Sequence, residues 1–138
     1  SSRSAPGPDI QQARNLVAAG NFSQAEPLLV GIVGRNGADW SDAQALLGDI
    51  ALRQGNAAEA ERRYRAALGR RGNFGAALSG LASALQAQGR FDEAEAIFAR
   101  LGGAAQPAVR ADALRAEATR TDDPAAAAAL LRAAIQQE

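Results

Sequence analysis

The sequence predicts an all-α fold of stacked helical hairpins, and three observations carry that prediction. The 138 residues are rich in alanine and poor in aromatic and β-branched residues, which favours helix over sheet. Three similar phrases recur, "AAGNFSQAEPLL" from Ala18, "RQGNAAEAERRY" from Arg53 and "AQGRFDEAEAIF" from Ala87, with their glycines Gly20, Gly55 and Gly89 spaced 35 and 34 residues apart. Within each phrase an alanine follows the glycine by five positions (Ala25, Ala60, Ala94), and a large apolar residue follows that alanine by four (Leu29, Tyr64, Phe98). A period of this length marks a repeat architecture, in which each unit buries its apolar face only against its neighbours.

The elements follow in order from their start and stop signals. The opening "SSRSAPGP" is small, polar and proline-bearing, so residues 1–7 are expected to form a disordered tail. Helices are expected near 8–19, 23–34, 41–54, 57–70, 74–88, 92–101, 107–120 and 124–137. Ser23 with Glu26 and Asp92 with Glu95 form capping-box patterns, as does Ser41 with Gln44, while Asp123 before Pro124 gives an N-cap and a proline at the first helical position. Pro27 is placed in the first turn of its helix, where a missing N–H costs little. Gly55 and Gly89 stand just past a helix, where the chain needs a positive φ. Gly48, Ala60 and Ala82 mark close helix approaches, where a larger side chain would overpack by about 1–3 kcal/mol.

In this register the chain resembles the tetratricopeptide repeat (TPR) family, whose unit of about 34 residues is a pair of antiparallel helices with the pattern W-x2-L-G-x2-Y, then A-x3-F, A and P. The best copy, Ser41 to Phe74, has Leu47, Gly48, Ala60, Tyr64 and Ala67 in place, and departs with Gln44 for the Trp, Ala51 for the Tyr and Gly72 for the Pro. The next copy supplies Leu78, Leu81, Ala82, Leu85, Ala94, Phe98 and Leu101, with Pro107 one place late. An earlier copy keeps Ala13, Leu16, Ala25, Leu29 and Ile32, and a divergent fourth keeps Leu114, Ala127, Leu131 and Ala134 but has Arg115 at the small position. The array is thus expected over 8–138, with repeats at about 6–40, 41–74, 75–107 and 108–138.

The resemblance implies a right-handed superhelical solenoid whose ligand groove is lined by the first helix of each pair. Carried over position by position, the groove residues are Asp42, Asp49 and Arg53 in the second repeat, Ser79, Ser83 and Gln86 in the third, and Asp112 and Arg120 in the fourth. Ala45, Leu52, Ala76, Ala87 and Thr119 fall between them. Some members of the family clamp a C-terminal carboxylate with Lys, Arg and Asn in this groove. Here Ala45, Asp49, Ser79 and Ser83 occupy those places, which argues against that specificity.

Composition removes most other functions. All 15 basic residues are arginine, balanced by 15 acids, so neither nucleic acid nor an anionic membrane is an expected partner. Cysteine, histidine, methionine and lysine are absent, which removes thiol and lysine nucleophiles, imidazole bases and the commonest soft metal ligands. Neither an enzyme nor a metal or other cofactor is expected. The carboxylate pairs Asp122–Asp123 and Glu59–Glu61 read as helix caps and solvated faces. Arg62, Arg63, Arg65, Arg70 and Arg71 read either as an anion contact or, preferably, as an outer face paired with Glu59 and Glu61. Trp40 is either a staple against Ala45 or an exposed aromatic anchor, the staple being preferred. No apolar run approaches the ~20 residues of a membrane span, so direct membrane insertion by this segment is not expected.

The expected role is therefore a non-catalytic protein-interaction scaffold. The stretch "RADALRAEATRTDDPAAAAALLRAAIQQE" is similar to the periplasmic TPR region of bacterial cellulose synthesis and export complexes, which implies an array linking the synthase to an outer-membrane pore. That similarity implies a periplasmic location and protein partners from a secretion or synthase complex. The alternatives are a solenoid that guides a polysaccharide, a glucan, and a mechanical spacer with no specific ligand. The last helix carries Leu130, Leu131 and Ile135 with no polar outer cap, which suggests a piece of a longer array. Irregular stacking is expected before Trp40 and at Gly102–Gly103.

Overall fold

The computed structural model describes residues 7–102 and 107–136, and over them the chain forms eight helices and no strand. These are α1 (Pro8–Ala18), α2 (Phe22–Arg35), α3 (Trp40–Arg53), α4 (Ala57–Arg70), α5 (Gly75–Ala87), α6 (Phe91–Gly102), α7 (Pro107–Arg120) and α8 (Pro124–Gln136). Every expected helix is present, with its ends within one residue of expectation. The expected tail, apart from Gly7, and the Gly103 half of the expected irregularity lie outside the described residues.

Consecutive helices pair as hairpins, α1 with α2, α3 with α4, α5 with α6 and α7 with α8. Helix α3 also touches α1 and α5, so these odd-numbered helices lie side by side, while α2 and α4 pack against the next odd helix. The three recurring glycines explain the tight turns. Gly20, Gly55 and Gly89 have φ of 82°, 81° and 77°, a region that costs an L side chain steric strain. Each lets the next residue reach back to close the helix: Asn21, Asn56 and Arg90 donate to the carbonyls of Leu16, Ala51 and Leu85 at 2.8, 2.8 and 2.9 Å, the longer bond of a Schellman turn.

Because that turn ends one residue after the glycine, the following helix starts at once, and this corrects two of the expected caps; a third, at Ser41, is displaced because α3 is entered from Asp39 and already begins at Trp40. Helices α2 and α6 begin at Phe22 and Phe91, which puts Ser23 and Asp92 at the second helical position instead of the cap. Helix α3 begins at Trp40; Ser41 is buried at 7 % exposure and Gln44 at 6 %, and the Gln44 side-chain oxygen accepts from Arg63 Nη1 at 3.0 Å. A polar side chain thus stands in the family's Trp position with its hydrogen bond made internally. Two caps are real: Asn56 Oδ1 accepts from the Glu59 N–H at 3.3 Å and Asp123 Oδ1 from the Ala125 N–H at 3.0 Å. Pro27 is the sixth residue of α2, beyond the first turn, so its missing N–H removes a bond the helix would otherwise make to Ser23.

The core forms two clusters that share α3. Ile10, Ala13, Val17, Ala25, Leu29 and Ile32 pack onto Ala43, Leu47 and Ile50, while Ala45 and Ala51 join Tyr64, Leu81, Leu85 and Phe98. Because α3 offers apolar residues to both sides, the seam is continuous from α1 to α6. Tyr64 is the largest fully buried side chain, and its ring is pinched between two helices. A Cβ built on Gly48 would lie 2.7 Å from that ring, and one built on Gly80 would lie 2.3 Å from it. The expectation of a close approach at Gly48 is met, and Gly80 is a second one.

Arginines clasp the loops that join one hairpin to the next. Arg70 lies 3.6 Å above the Trp40 ring and donates to Asn36 Oδ1, Arg71 lies over Phe74 and pairs with Asp42, and Arg100 donates to the Gly72 carbonyl at 2.9 Å. Trp40 is itself the first residue of α3, not the residue before its cap, so the staple position is not its place, and it is not a free anchor either: a cation from α4 covers its face, a stacking worth about 0.5–1 kcal/mol at an exposed site. The other outer arginines pair as the helical spacing suggested, Arg62 and Arg63 with Glu59 and Arg65 with Glu61.

Candidate partner-binding groove

The groove positions fall on α3, α5 and α7, and the structure divides them into two chemical groups. The first is tied up inside the array. Asp42 accepts from Arg14 of α1 at 3.1 Å and from Arg71 at 3.3 Å. Arg53 donates to the Val17 carbonyl at 3.0 Å and stands over the Phe22 ring at 5.8 Å, so it bridges to the previous hairpin. Arg120 repeats the arrangement one repeat pair later, over the Phe91 ring at 4.7 Å and against Gly89. At the intervening junction, where α4 starts with Ala57, the matching arginine position at the end of α5 is Ala87, so arginine and phenylalanine occur together.

The second group has unused hydrogen-bonding capacity. Ser79, Ser83 and Gln86 are exposed or half-exposed along one stripe of α5, and their side chains have no hydrogen-bond partner among the described residues. Asp49, one helix over, accepts from the Tyr64 hydroxyl at 2.5 Å. Asp112 lies in α7 at a position whose side chain is outside the described residues.

The electrostatics set Asp49 apart from the outer acids. Burial pushes its carboxyl above the usual 3.8, against the lowering effects of the Tyr64 hydrogen bond and the Arg53 charge. The same partnership, with burial first, pushes the Tyr64 phenol well up. On the outer face Glu59 is held below 4.5, first by its bond from Arg62. Glu61 is also held below 4.5: burial pushes it up, and hydrogen bonds from Gln88, Arg65 and Arg90 outweigh that push.

These directions predict a pH dependence with two opposed parts. Glu59 and Glu61 bind their protons less tightly when folded, so their contribution is present above 4.5 and is lost as the pH falls through their lowered pKa values. Asp49 binds its proton more tightly when folded, so ionising it weakens the fold as the pH rises above 3.8 through its raised pKa. Thermal melts between about pH 3 and 7 are expected to show Tm falling on acidification. The Tm of Asp49→Asn relative to the parent should be lowest at the acid end and climb as the pH rises. A difference independent of pH would contradict this placement of Asp49.

A second prediction concerns the bridge between hairpins. Arg53→Ala removes one arginine–carbonyl bond and a cation–ring contact, an expected loss of about 1–2 kcal/mol. Hydrogen exchange should accelerate in α1 and α2 and remain unchanged in α5 and α6. Uniform acceleration would show that Arg53 is not a local joint.

The solenoid of helical hairpins and its register have counterparts in known sequences. Two family models, both described as "Tetratricopeptide repeat", match residues 10–76 and 51–118. The chain belongs to the tetratricopeptide repeat family, and its fold is the all-α TPR solenoid. It is 31 % identical over 132 residues to the cellulose synthase 1 operon protein C of Komagataeibacter xylinus, an alignment that takes in 94 % of this chain and 10 % of that protein. This chain therefore spans about a tenth of the length of that relative. No solved structure matches it significantly. Among the described residues no helix is long and apolar enough to cross a membrane.

Proposed function

We propose that this segment is a non-catalytic docking scaffold in a bacterial cellulose synthesis and export complex, acting in the periplasm and linking the synthase to an outer-membrane pore. The observation that carries the docking role is the α5 stripe. Ser79, Ser83 and Gln86 face outward with their hydrogen bonds unmade, whereas the arginines of the outer face are engaged within the chain. Polar side chains left unpaired on a rigid helix cost nothing in water and are ready to bond a partner. The family supports the scaffold role, and the cellulose operon relative supports the setting.

The test is site-specific photocrosslinking in the producing cell. A photoreactive residue at Ser83 is expected to capture a component of the cellulose complex, and one at Arg62 on the outer face to capture none. Adducts at Arg62 alone would place the docking surface elsewhere. Adducts at neither, with cellulose export intact after Ser79 and Ser83 are replaced by tryptophan, would favour a mechanical spacer. Chemical-shift changes along α5 on adding cello-oligosaccharide would favour a glucan guide.

A further inference from the structure

We propose that the groove takes an extended polypeptide that places a basic side chain on Asp49, with its backbone running along Ser79, Ser83 and Gln86. The inference rests on the docking reading above and specifies the partner's chemistry. Its basis is which groove charges remain unspent. Of the four charged groove side chains described, Asp42 is held by two arginines, Arg53 by a carbonyl and Arg120 against a ring. Asp49 accepts only from the neutral Tyr64 hydroxyl; Arg53 acts on it through its charge alone, and no arginine among the described residues hydrogen-bonds to it.

The geometry joins Asp49 to the α5 stripe. The far end of the Tyr64 ring is hydrogen-bonded by Asp49 from α3 and touched by Gly80 from α5. Ser79 and Ser83 flank Gly80 in sequence, and Gln86 lies one turn further, a stripe of about 10 Å along the helix. That length matches about three residues of extended chain.

The chemistry then selects among partners. Covering a half-buried carboxylate with a group that cannot donate to it leaves a charge unsatisfied, which disfavours apolar and acidic occupants. A lysine or arginine supplies both a donor and a compensating charge. The hydroxyls and amide of Ser79, Ser83 and Gln86 donate and accept, as the N–H and C=O groups of a polypeptide require.

The experiment is an NMR titration of the isotope-labelled chain with two capped peptides of glycine, serine and alanine, one with a central arginine and its twin with a central glutamate. The arginine peptide is expected to shift the amides of Asp49, Ser79, Ser83 and Gln86, more weakly as salt rises. Asp49→Asn keeps an acceptor for Tyr64 and is expected to weaken that binding about tenfold, the loss of one charge-assisted bond. Arg62→Gln on the outer face should leave it unchanged. Equal binding of the glutamate twin on the same stripe would overturn the role of Asp49 and leave the docking reading standing. Shifts confined to the even-numbered helices, or none with either peptide at millimolar concentration, would overturn both. Shifts along α5 with cellohexaose but not with the arginine peptide would replace the polypeptide with a saccharide.

Discussion

Replacing Gly80 with alanine is expected to destabilise the chain by about 2 kcal/mol, although the same change gains about 1 kcal/mol of helix propensity. The added Cβ would lie 2.3 Å from the tip of the Tyr64 ring, and the ring cannot retreat, because Gly48 presses on it from α3 with its own Cβ position at 2.7 Å. Helices α3 and α5 must therefore separate, and each carries buried residues of the shared core. Valine at Gly80 should cost more than alanine. The sign of the effect depends on the ring. In a Tyr64→Ala background the obstruction is gone, so Gly80→Ala should become stabilising by about 1 kcal/mol. Gly69, which has nothing within 4 Å of its Cβ position, should stabilise on going to alanine in either background. Denaturant melts of the parent, Gly80→Ala, Tyr64→Ala and the double variant decide the matter: a Gly80→Ala penalty that persists without Tyr64 would place the clash elsewhere.

What the sequence made legible is what recurs locally. Turn glycines, capping residues and apolar spacing lie within a few residues of the structure they specify, and for that reason the eight helices were expected at nearly their observed bounds. Gly48 was legible because the family pattern has a glycine there, whereas Gly80 has no such precedent and its role depends on Tyr64, a residue from another helix. The caps at Ser23 and Asp92 were misplaced by two residues because the Schellman turn, a backbone hydrogen bond, sets the helix start before any side chain is consulted.

The groove shows the same boundary. Its positions could be carried over from the family register, but which of its charges are already neutralised is a question of pairing between repeats. With 15 arginines and 15 acids, the sequence alone offers too many pairings to choose among. One signal was present: Phe22 and Phe91 open their helices where Arg53 and Arg120 close the following odd helix, and Ala57 is matched by Ala87. A comparison of the repeats with one another, position against position, would have shown that arginine and phenylalanine travel together. It would then have marked those arginines as joints within the array.

Tyr64→Ala is expected to be the most damaging single change, about 3–5 kcal/mol, because it empties a site that is 0 % exposed and shared by α3, α4 and α5. Tyr64→Phe separates the hydroxyl from the ring. It preserves packing and removes only the donor to Asp49, leaving a half-buried carboxylate without its bond, at an expected cost of about 1.5–3 kcal/mol. Since the hydroxyl lowers the Asp49 pKa, its loss raises that pKa further, so the penalty should be larger at neutral pH than in acid, where Asp49 is protonated in both proteins. Combining Tyr64→Phe with Asp49→Ala removes both partners and should cost less than the two single changes together, with a coupling of about 1–2 kcal/mol. Additive losses, or a Tyr64→Phe penalty that does not change with pH, would mean that the phenol contributes through packing alone and that Asp49 reaches the groove face without support from α4.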